Sequence, residues 1–124
     1  MKRYVFHIAL PEDWEEGANR RVYAPPSLAS EGFIHFSSFE QLTETAGRYF
    51  PDSSGLVLLQ VEAAVLGSSL RFEVVRGTEE YPHLYRELLK SEVSSIHWLA
   101  PHEDFGEALN RIFPLGDPSL TFLA

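Results

Sequence analysis

Hydrophobic and polar residues alternate along several short stretches of the chain, with the period of half-buried β-strands. The stretches RYVFHIA at 3–9 and LRFEVV at 70–75 alternate in this way, whereas LVLLQV at 56–61 is apolar almost throughout. The continuous run predicts a strand that is buried on both faces. Strands are predicted at Arg3–Ala9, Phe33–Ser37, Leu56–Val61, Leu70–Val75 and Val93–Leu99.

Helical spacing and end signals separate these strands. Pro11 followed by two acids predicts a helix over Pro11–Ala18, which Gly17 and Asn19 end. Ser38 with Gln41 three residues later has the spacing of a capping box. This box opens a helix that closes at Pro51 and buries an apolar stripe formed by Phe39, Leu42, Ala46, Tyr49 and Phe50.

Weaker patterns fill the remaining chain. Ser27–Ser30 is predicted as a short helical turn, and a last helix is predicted over Glu103–Phe113. The charged stretch 76–80 and the stretch YPHLY at 81–85, which contains Pro82, are predicted to be loops. The pattern of the tail 114–124 is weak, and an edge strand is one interpretation of it. Trp14 and Trp98 are expected in the core.

The order of these elements indicates the fold class. Strands and helices mix without regular alternation, so the chain is predicted to be α+β, with a mixed or mainly antiparallel sheet and a few flanking helices. No repeat, linker or low-complexity tract divides it, and we expect one domain over 1–124.

Composition narrows the function. The 124 residues carry a formal net charge of −8, which repels phosphate backbones and makes nucleic acid an unlikely partner. There is no cysteine, so disulfides and thiol chemistry are excluded. No stretch resembles a signal peptide or a membrane span, and we expect a cytoplasmic protein with a small-molecule or protein partner. The oligomeric state is not predicted.

Three predicted strands each carry a polar group among small or apolar neighbours. His7 lies on one face of the first strand, His35 and Ser37 share a face of the second, and Arg71 and Glu73 share a face of LRFEVV. If these faces line one cleft, they form the apolar pocket with convergent polar groups that is typical of a ligand site.

Each of these residues also has a structural interpretation. A strand histidine is commonly a packed side chain with a partner on each nitrogen. An alternative for Arg71 and Glu73 is a solvent-exposed ion pair. An alternative for His83 is a structural role that holds its loop in place. The sequence has no HxH or HExxH pair and no GxSxG elbow, so it predicts neither a metal site nor a Ser-His-Asp hydrolase.

Five stretches together resemble a known family. In order, YVFHIA, YAPPSLASEGFIHFS, LVLLQV, LRFE and YPHLY are similar to domain-of-unknown-function family 952, from about Tyr4 to Leu99. The resemblance implies an ADP-ribosyltransferase-like fold with a split α+β sheet whose central cleft holds NAD in active members.

The resemblance also implies roles for residues of this chain. His7 would contact the ribose or amide of the nicotinamide half, and His35 with Ser37 would lie near the diphosphate or ribose. Glu73 would stabilise the positive charge that develops as nicotinamide leaves. On this hypothesis His7, His35 and Glu73 are catalytic, NAD is a substrate, and the ligand-binding residues are Ser37, Arg71, His83 and Tyr85.

Within that site Arg71 is expected at phosphate, and Tyr85 at a ring or hydroxyl. Phe33 or Phe36 is expected to stack on the leaving ring. The alternative function is a non-catalytic small-ligand or protein-interaction module that keeps the cleft without turnover.

Overall fold

The computed structural model describes residues 2–16, 20–51 and 55–120. Its strands are β1 (Tyr4–Ala9), β2 (Val22–Tyr23), β3 (Ile34–His35), β4 (Val57–Glu62), β5 (Leu70–Arg76), β6 (Glu79–Leu84), β7 (Leu88–Leu89) and β8 (Val93–Trp98). Its α-helices are α1 (Pro11–Glu15), α2 (Pro26–Glu31), α3 (Leu42–Tyr49), α4 (Ala63–Leu66) and α5 (Phe105–Ile112). Short 3₁₀ turns lie at Phe39–Gln41, Gly67–Ser69, Lys90–Glu92 and Pro118–Leu120.

The strands form antiparallel sheets, as expected for the α+β class. One three-stranded sheet has the order β1-β4-β8, a second has the order β3-β6-β5, and β2 pairs with β7. All the pairings between these strands are antiparallel. The mainly antiparallel sheet predicted from the sequence is therefore confirmed.

Among the described residues, an isolated backbone bridge joins the two three-stranded sheets at one pair of residues. Phe6 of β1 and Ser37, just after β3, form an isolated antiparallel bridge. Both of its backbone hydrogen bonds are short, at 2.8 Å from Phe6 N to Ser37 O and 2.7 Å in return. Continuing this register would place Ile8 opposite His35, but the two strands do not pair there. The sheet is thus split between β1 and β3.

Side chains of the central strands enter two cores on opposite faces. In β4, Val57, Leu59 and Val61 enter one core, while Leu58 enters the other, which α3 and α5 cover. All four are fully buried. The prediction that LVLLQV forms a strand buried on both faces is confirmed.

Gly32 ends α2 and directs the chain into β3. It has φ 89°, in the left-handed region that glycine adopts without a Cβ clash. Its N–H bonds to the Leu28 carbonyl at 3.0 Å, which satisfies one of the free carbonyls at the helix end. Glu31 is the last residue of α2 and precedes His35 by four residues.

Gln41 anchors the start of α3 to the second sheet. Its side-chain carbonyl accepts the Ser38 N–H at 3.0 Å, which is half of the predicted capping box. Its amide group donates to the Glu80 carbonyl at 2.8 Å and to Glu79 Oε2 at 3.0 Å. Because Gln41 is buried, these bonds fix the helix against β6.

The prediction that YPHLY forms a loop is wrong. Residues 81–84 belong to β6, which pairs with both β3 and β5, and only Gly77 and Thr78 turn between β5 and β6. Pro82 accepts the Phe36 N–H at 2.9 Å but has no N–H to return. The sheet tolerates this proline because β3 pairs with β6 over only two residues, Ile34 and His35.

Several smaller predictions are also corrected. Tyr49 and Trp98, which were expected in the core, are 54% and 50% exposed. As far as residue 120 the tail contains a 3₁₀ turn at Pro118–Leu120 and no strand. Residues 121–124 lie outside the described part. The helix over α1 ends at Glu15, and its predicted end at Gly17 and Asn19 falls outside the described residues. The strand expected over Phe33–Ser37 is reduced to β3 and the bridge at Ser37.

None of the helices in the described ranges has the length and apolar character needed to cross a membrane.

Candidate functional site in the split of the sheet

His7 lies where β1 and β3 separate, and both its ring nitrogens are bound within the protein. Nδ1 lies 2.6 Å from the backbone carbonyl of His35, and Nε2 lies 2.7 Å from the hydroxyl of Tyr23. A carbonyl only accepts, so Nδ1 carries the proton and donates it. Nε2 then accepts the Tyr23 hydroxyl proton. The imidazole bridges the split that the backbone leaves open.

Burial keeps this pair uncharged at neutral pH. Desolvation lowers the pKa of His7 to about 4, although its bond to the His35 carbonyl acts in the opposite direction. Desolvation also raises the pKa of Tyr23 well above its usual range. His7 is therefore a neutral imidazole whose two nitrogens position His35 and Tyr23.

His35 itself projects from β3 towards α2. Its Nε2 lies 3.0 Å from Glu31 Oε2, and the side chain is 38% exposed. His35 and His83 are directly opposite in the β3–β6 register, and their rings meet edge to face with centroids 5.5 Å apart. Because Phe36 N bonds to Pro82 O, the neighbouring pair of His35 and His83 is a non-hydrogen-bonded pair. In an antiparallel sheet the side chains of such a pair lie closer together.

Glu73, His83 and Tyr85 form a second hydrogen-bonded group on the same sheet face. Glu73 Oε1 lies 2.8 Å from His83 Nδ1 and accepts the Tyr85 hydroxyl proton at 2.6 Å. These bonds, the one from Tyr85 first and the one from His83 second, lower the pKa of Glu73. The bond to Glu73 correspondingly raises the pKa of Tyr85.

Aromatic and cationic side chains enclose this group. The Phe33 ring stacks on His83 with centroids 4.1 Å apart and an interplanar angle of 18°. The Arg71 guanidinium lies 4.7 Å from the centroid of the Tyr85 ring. Phe36 packs against His7, with centroids 5.5 Å apart, and is buried. Phe33 and Phe36 therefore each already contact a histidine ring.

Two neighbouring cavities open in the split. The larger, of about 290 Å³, lies between β1, α2 and α3 and is called the cleft below. The smaller, of about 30 Å³, lies between α3, β5 and β6 and is called the recess. His35, Ser37, Thr45 and Tyr49 line both cavities, so the recess adjoins the cleft.

The wall of the cleft is mainly apolar and carries two acidic side chains. Asp13 and Glu31 line it, and no Lys or Arg is found among its described lining residues. Tyr23, Tyr49 and Phe50 supply aromatic surface. The recess is different, because Arg48 and Arg76 line it.

Within the described ranges, no group of three or more His, Asp or Glu side chains is arranged to hold a metal ion.

The family comparison agrees with the stretches that carried the resemblance. The model for proteins of unknown function designated DUF952 matches residues 8–96. The chain belongs to the DUF952 family.

Solved structures extend this relationship. The crystal structure of protein CC0527 from Caulobacter crescentus is 37% identical, with a TM-score of 0.74 over 82% of this chain and 90% of the other. The solution NMR structure of CC0527 is 34% identical, with a TM-score of 0.72 over 90% of this chain and 97% of the other. No curated protein matches the chain significantly.

The predicted site residues of this DUF952 chain fall into two groups. His7, His35 and Ser37 line the cleft. His83 lines the recess together with His35 and Ser37. His7, His35 and His83 come from separate stretches of the sequence, and they are therefore neighbours only in the fold.

The remaining predicted residues lie behind His83. Glu73, Arg71 and Tyr85 line neither cavity and instead contact one another or His83. Phosphate at Arg71 and a ring at Tyr85 stay predictions that these contacts do not test.

The sequence prediction missed Tyr23, Glu31 and Thr45. Tyr23 lies on a two-residue strand that has no periodicity to reveal it. Glu31 precedes His35 by four residues, but Gly32 ends the helix between them, so the i, i+4 rule for helices did not predict their contact. Thr45 lies on α3, where its hydroxyl is 2.9 Å from that of Ser37.

Proposed function

We propose that the cleft binds the nicotinamide riboside half of NAD or of a related nucleotide, within an ADP-ribosyltransferase-like fold that supports ADP-ribosyl-transfer or NAD-cleaving chemistry. The observation that carries this proposal is the position of the cleft. It opens where the sheet splits, beside the His7–Tyr23 pair, with His35 and Ser37 on its wall. A split sheet with a central ligand cleft is the arrangement that the family resemblance implies.

The size of the cleft suits part of a dinucleotide. Its volume of about 290 Å³ is near the lower end of the range for small-molecule pockets, roughly 300–1,000 Å³. Aromatic and aliphatic side chains, including Ile8, Leu10 and Phe50, offer a surface for a flat ring. A ring with a ribose fits this space better than two linked nucleotides.

The charge of the cleft suits the oxidised nicotinamide ring, which is a cation. Burial, followed by the neighbouring Glu12 and Glu16, raises the pKa of Asp13. A bound cation would offset these effects and is attracted to Glu31 on the same wall. The Tyr23 hydroxyl donates its hydrogen bond to His7, so towards a ligand it can only accept. The cleft therefore favours a ligand with hydrogen-bond donors.

The phosphates would then extend towards the recess. Arg76 there donates to the Tyr49 hydroxyl at 3.1 Å, and Arg48 lies 3.5 Å from Glu44. Both arginines are exposed and line the recess beside the cleft. They provide a route for anionic groups on a surface whose overall charge is negative.

Calorimetric titration with NAD and with nicotinamide mononucleotide tests the binding. We expect saturable binding of both by the wild type and at least tenfold weaker binding by Asp13→Asn, which removes a wall charge without changing size. Glu107→Gln, on the exposed face of α5 away from the cleft, should bind like the wild type. Absence of binding to the wild type would reject the proposal.

A second candidate is a module that binds the ligand without turnover. It is favoured by His7, whose nitrogens are both engaged, and by Glu73, which lines neither cavity. Nicotinamide release from NAD by the wild type and by His35→Ala separates the two candidates. Release that falls in the variant supports chemistry, and equal negligible release with intact binding supports the module.

A further inference from the structure

His83 carries a buried nitrogen that the rest of the site leaves unused. The residue is 4% exposed, and its Nε2 has no hydrogen-bond partner among the described residues. Most buried polar atoms in folded proteins are paired, so such an atom calls for a ligand or a water molecule. His83 lines the recess, which is therefore the described cavity from which a ligand or a water molecule can approach the ring.

The hydrogen bond to Glu73 determines the tautomer of a neutral His83 ring. Glu73 Oε1 accepts a hydrogen bond from the Tyr85 hydroxyl and lies 2.8 Å from His83 Nδ1. Because these bonds favour the ionised carboxylate, Glu73 only accepts, and Nδ1 carries the hydrogen. In the neutral ring Nε2 then has a free lone pair, and its partner must be an O–H or N–H donor.

The recess has the size and polarity for water. A cavity needs roughly 10–15 Å³ to hold one water molecule, and the recess has about 30 Å³. Ser37 and Thr45 line the recess, and their hydroxyl oxygens lie 2.9 Å apart.

We propose that a water molecule in the recess donates a proton to His83 Nε2, and that the Glu73–His83 pair makes this water the nucleophile of an NAD-cleaving reaction. This inference rests on the proposed function. It makes the reaction a hydrolysis, with His83 as the catalytic base and Glu73 as a positioning residue that acts through it.

The proposed step conserves atoms and charge. The water oxygen forms a bond to C1′ of the nicotinamide ribose while the bond from C1′ to the ring nitrogen breaks. The electron pair of that bond leaves with nicotinamide and neutralises the ring. The water proton moves to His83 Nε2, and Glu73 balances the charge of the resulting imidazolium. The products are nicotinamide, ADP-ribose and one proton.

The structure explains why Glu73 acts through His83. Its Oε1 is occupied by two donors, and the side chain lines neither cavity. The recess, by contrast, shares four wall residues with the cleft, so a water there adjoins a ribose in the cleft.

Steady-state kinetics with NAD test the inference. We expect the wild type to release nicotinamide and free ADP-ribose in equal amounts. His83→Gln and Glu73→Gln should each lower kcat by about 100-fold or more, the usual contribution of a general base, while KM and the calorimetric Kd for NAD change less than threefold. Glu80→Gln, an exposed acid on the opposite face of β6, should match the wild type.

The outcomes separate the two proposals. NAD binding without hydrolysis, or a kcat for both variants within threefold of the wild type, overturns the base assignment and leaves the binding proposal standing. No NAD binding by the wild type overturns both. Circular dichroism and thermal melting check the fold of each variant, and the partly exposed Glu73 provides the test if the buried His83 variant does not fold.

Discussion

His7 donates from Nδ1 to the backbone carbonyl of His35 at 2.6 Å, at the point where β1 stops pairing with the chain around β3. A backbone carbonyl at a strand separation would otherwise lose its ladder partner. The imidazole supplies that partner and holds the Tyr23 hydroxyl with its other nitrogen. One side chain therefore both keeps the sheet split and shapes the wall of the cleft.

Replacing His7 should destabilise the fold. His7→Phe leaves the His35 carbonyl and the Tyr23 hydroxyl without their partner, at a cost of about 1–3 kcal/mol in the free energy of unfolding. Urea unfolding of the wild type and the variant measures this difference. A near-neutral effect would show that neither bond contributes to stability.

Tyr23→Phe provides the matched comparison for His7→Phe. It removes one of the two bonds and should cost less, about 1 kcal/mol. The double variant should be less destabilised than the sum of the single variants, because the bond between the two side chains can be lost only once. Strict additivity would contradict the hydrogen bond between them.

The same histidine predicts a dependence of stability on pH. Its pKa is 6.5 in the unfolded chain and about 4 in the fold, so the unfolded state binds the proton first as pH falls. The stabilisation is complete above pH 6.5 and is lost between pH 6.5 and about 4. This pKa difference corresponds to about 3 kcal/mol.

Urea unfolding at pH 7 and at pH 4.5 measures that loss. The wild type should lose more stability over this interval than His7→Phe, which has no group to titrate at this position. The other histidines and the carboxylates are common to both proteins and cancel in the comparison. Equal losses would show that His7 does not titrate with a lowered pKa.

Strand patterning predicted faces well, because a buried central strand leaves a strong signal. LVLLQV was placed correctly on both faces since β4 is covered on each side. The same period placed His35 and Ser37 on one face of their strand, and Glu73 with Arg71 on one face of another. It did not give register, and the pairing of His35 with His83 depends on register. The sequence thus predicted His7, His35, Ser37 and His83 as residues of the site, but not their contacts.

Proline and short elements explain the main errors. The prediction of a loop at YPHLY was based on Pro82. In the structure Pro82 lies within β6, which the turn before β6 and the shortness of β3 allow. Tyr23 was missed because a two-residue strand is too short for any periodicity. Tyr49 was assigned to a buried stripe, whereas it is half exposed at the edge where both cavities open.

Two glycines should respond in opposite directions to the same substitution. Gly32 has φ 89° and open space around its Cβ position, so Gly32→Ala costs only the left-handed conformation, about 1–2 kcal/mol. Gly47 also has open space but lies within α3, so Gly47→Ala should stabilise the protein by about 0.5–1 kcal/mol. Chemical unfolding of both variants checks the sign, and a stabilised Gly32→Ala would contradict the turn geometry.

The acidic wall of the cleft predicts that it distinguishes the redox states of the proposed nucleotide. The oxidised nicotinamide ring is positively charged and the reduced ring is neutral, while the rest of the molecule is the same. Asp13 and Glu31 line the cleft without a compensating Lys or Arg among its described lining residues. We therefore expect the oxidised form to bind at least tenfold more tightly, a difference of about 1.4 kcal/mol.

Calorimetry with NAD and NADH measures this preference directly. Asp13→Asn combined with Glu31→Gln should remove most of it by weakening the oxidised form, because the attraction is to the ring cation and not to the phosphates. Added salt should reduce the preference less than it reduces phosphate contacts, since charges within a cleft are screened less than exposed ones. Equal affinity of the wild type for both forms would show that the wall charges do not contact the ring.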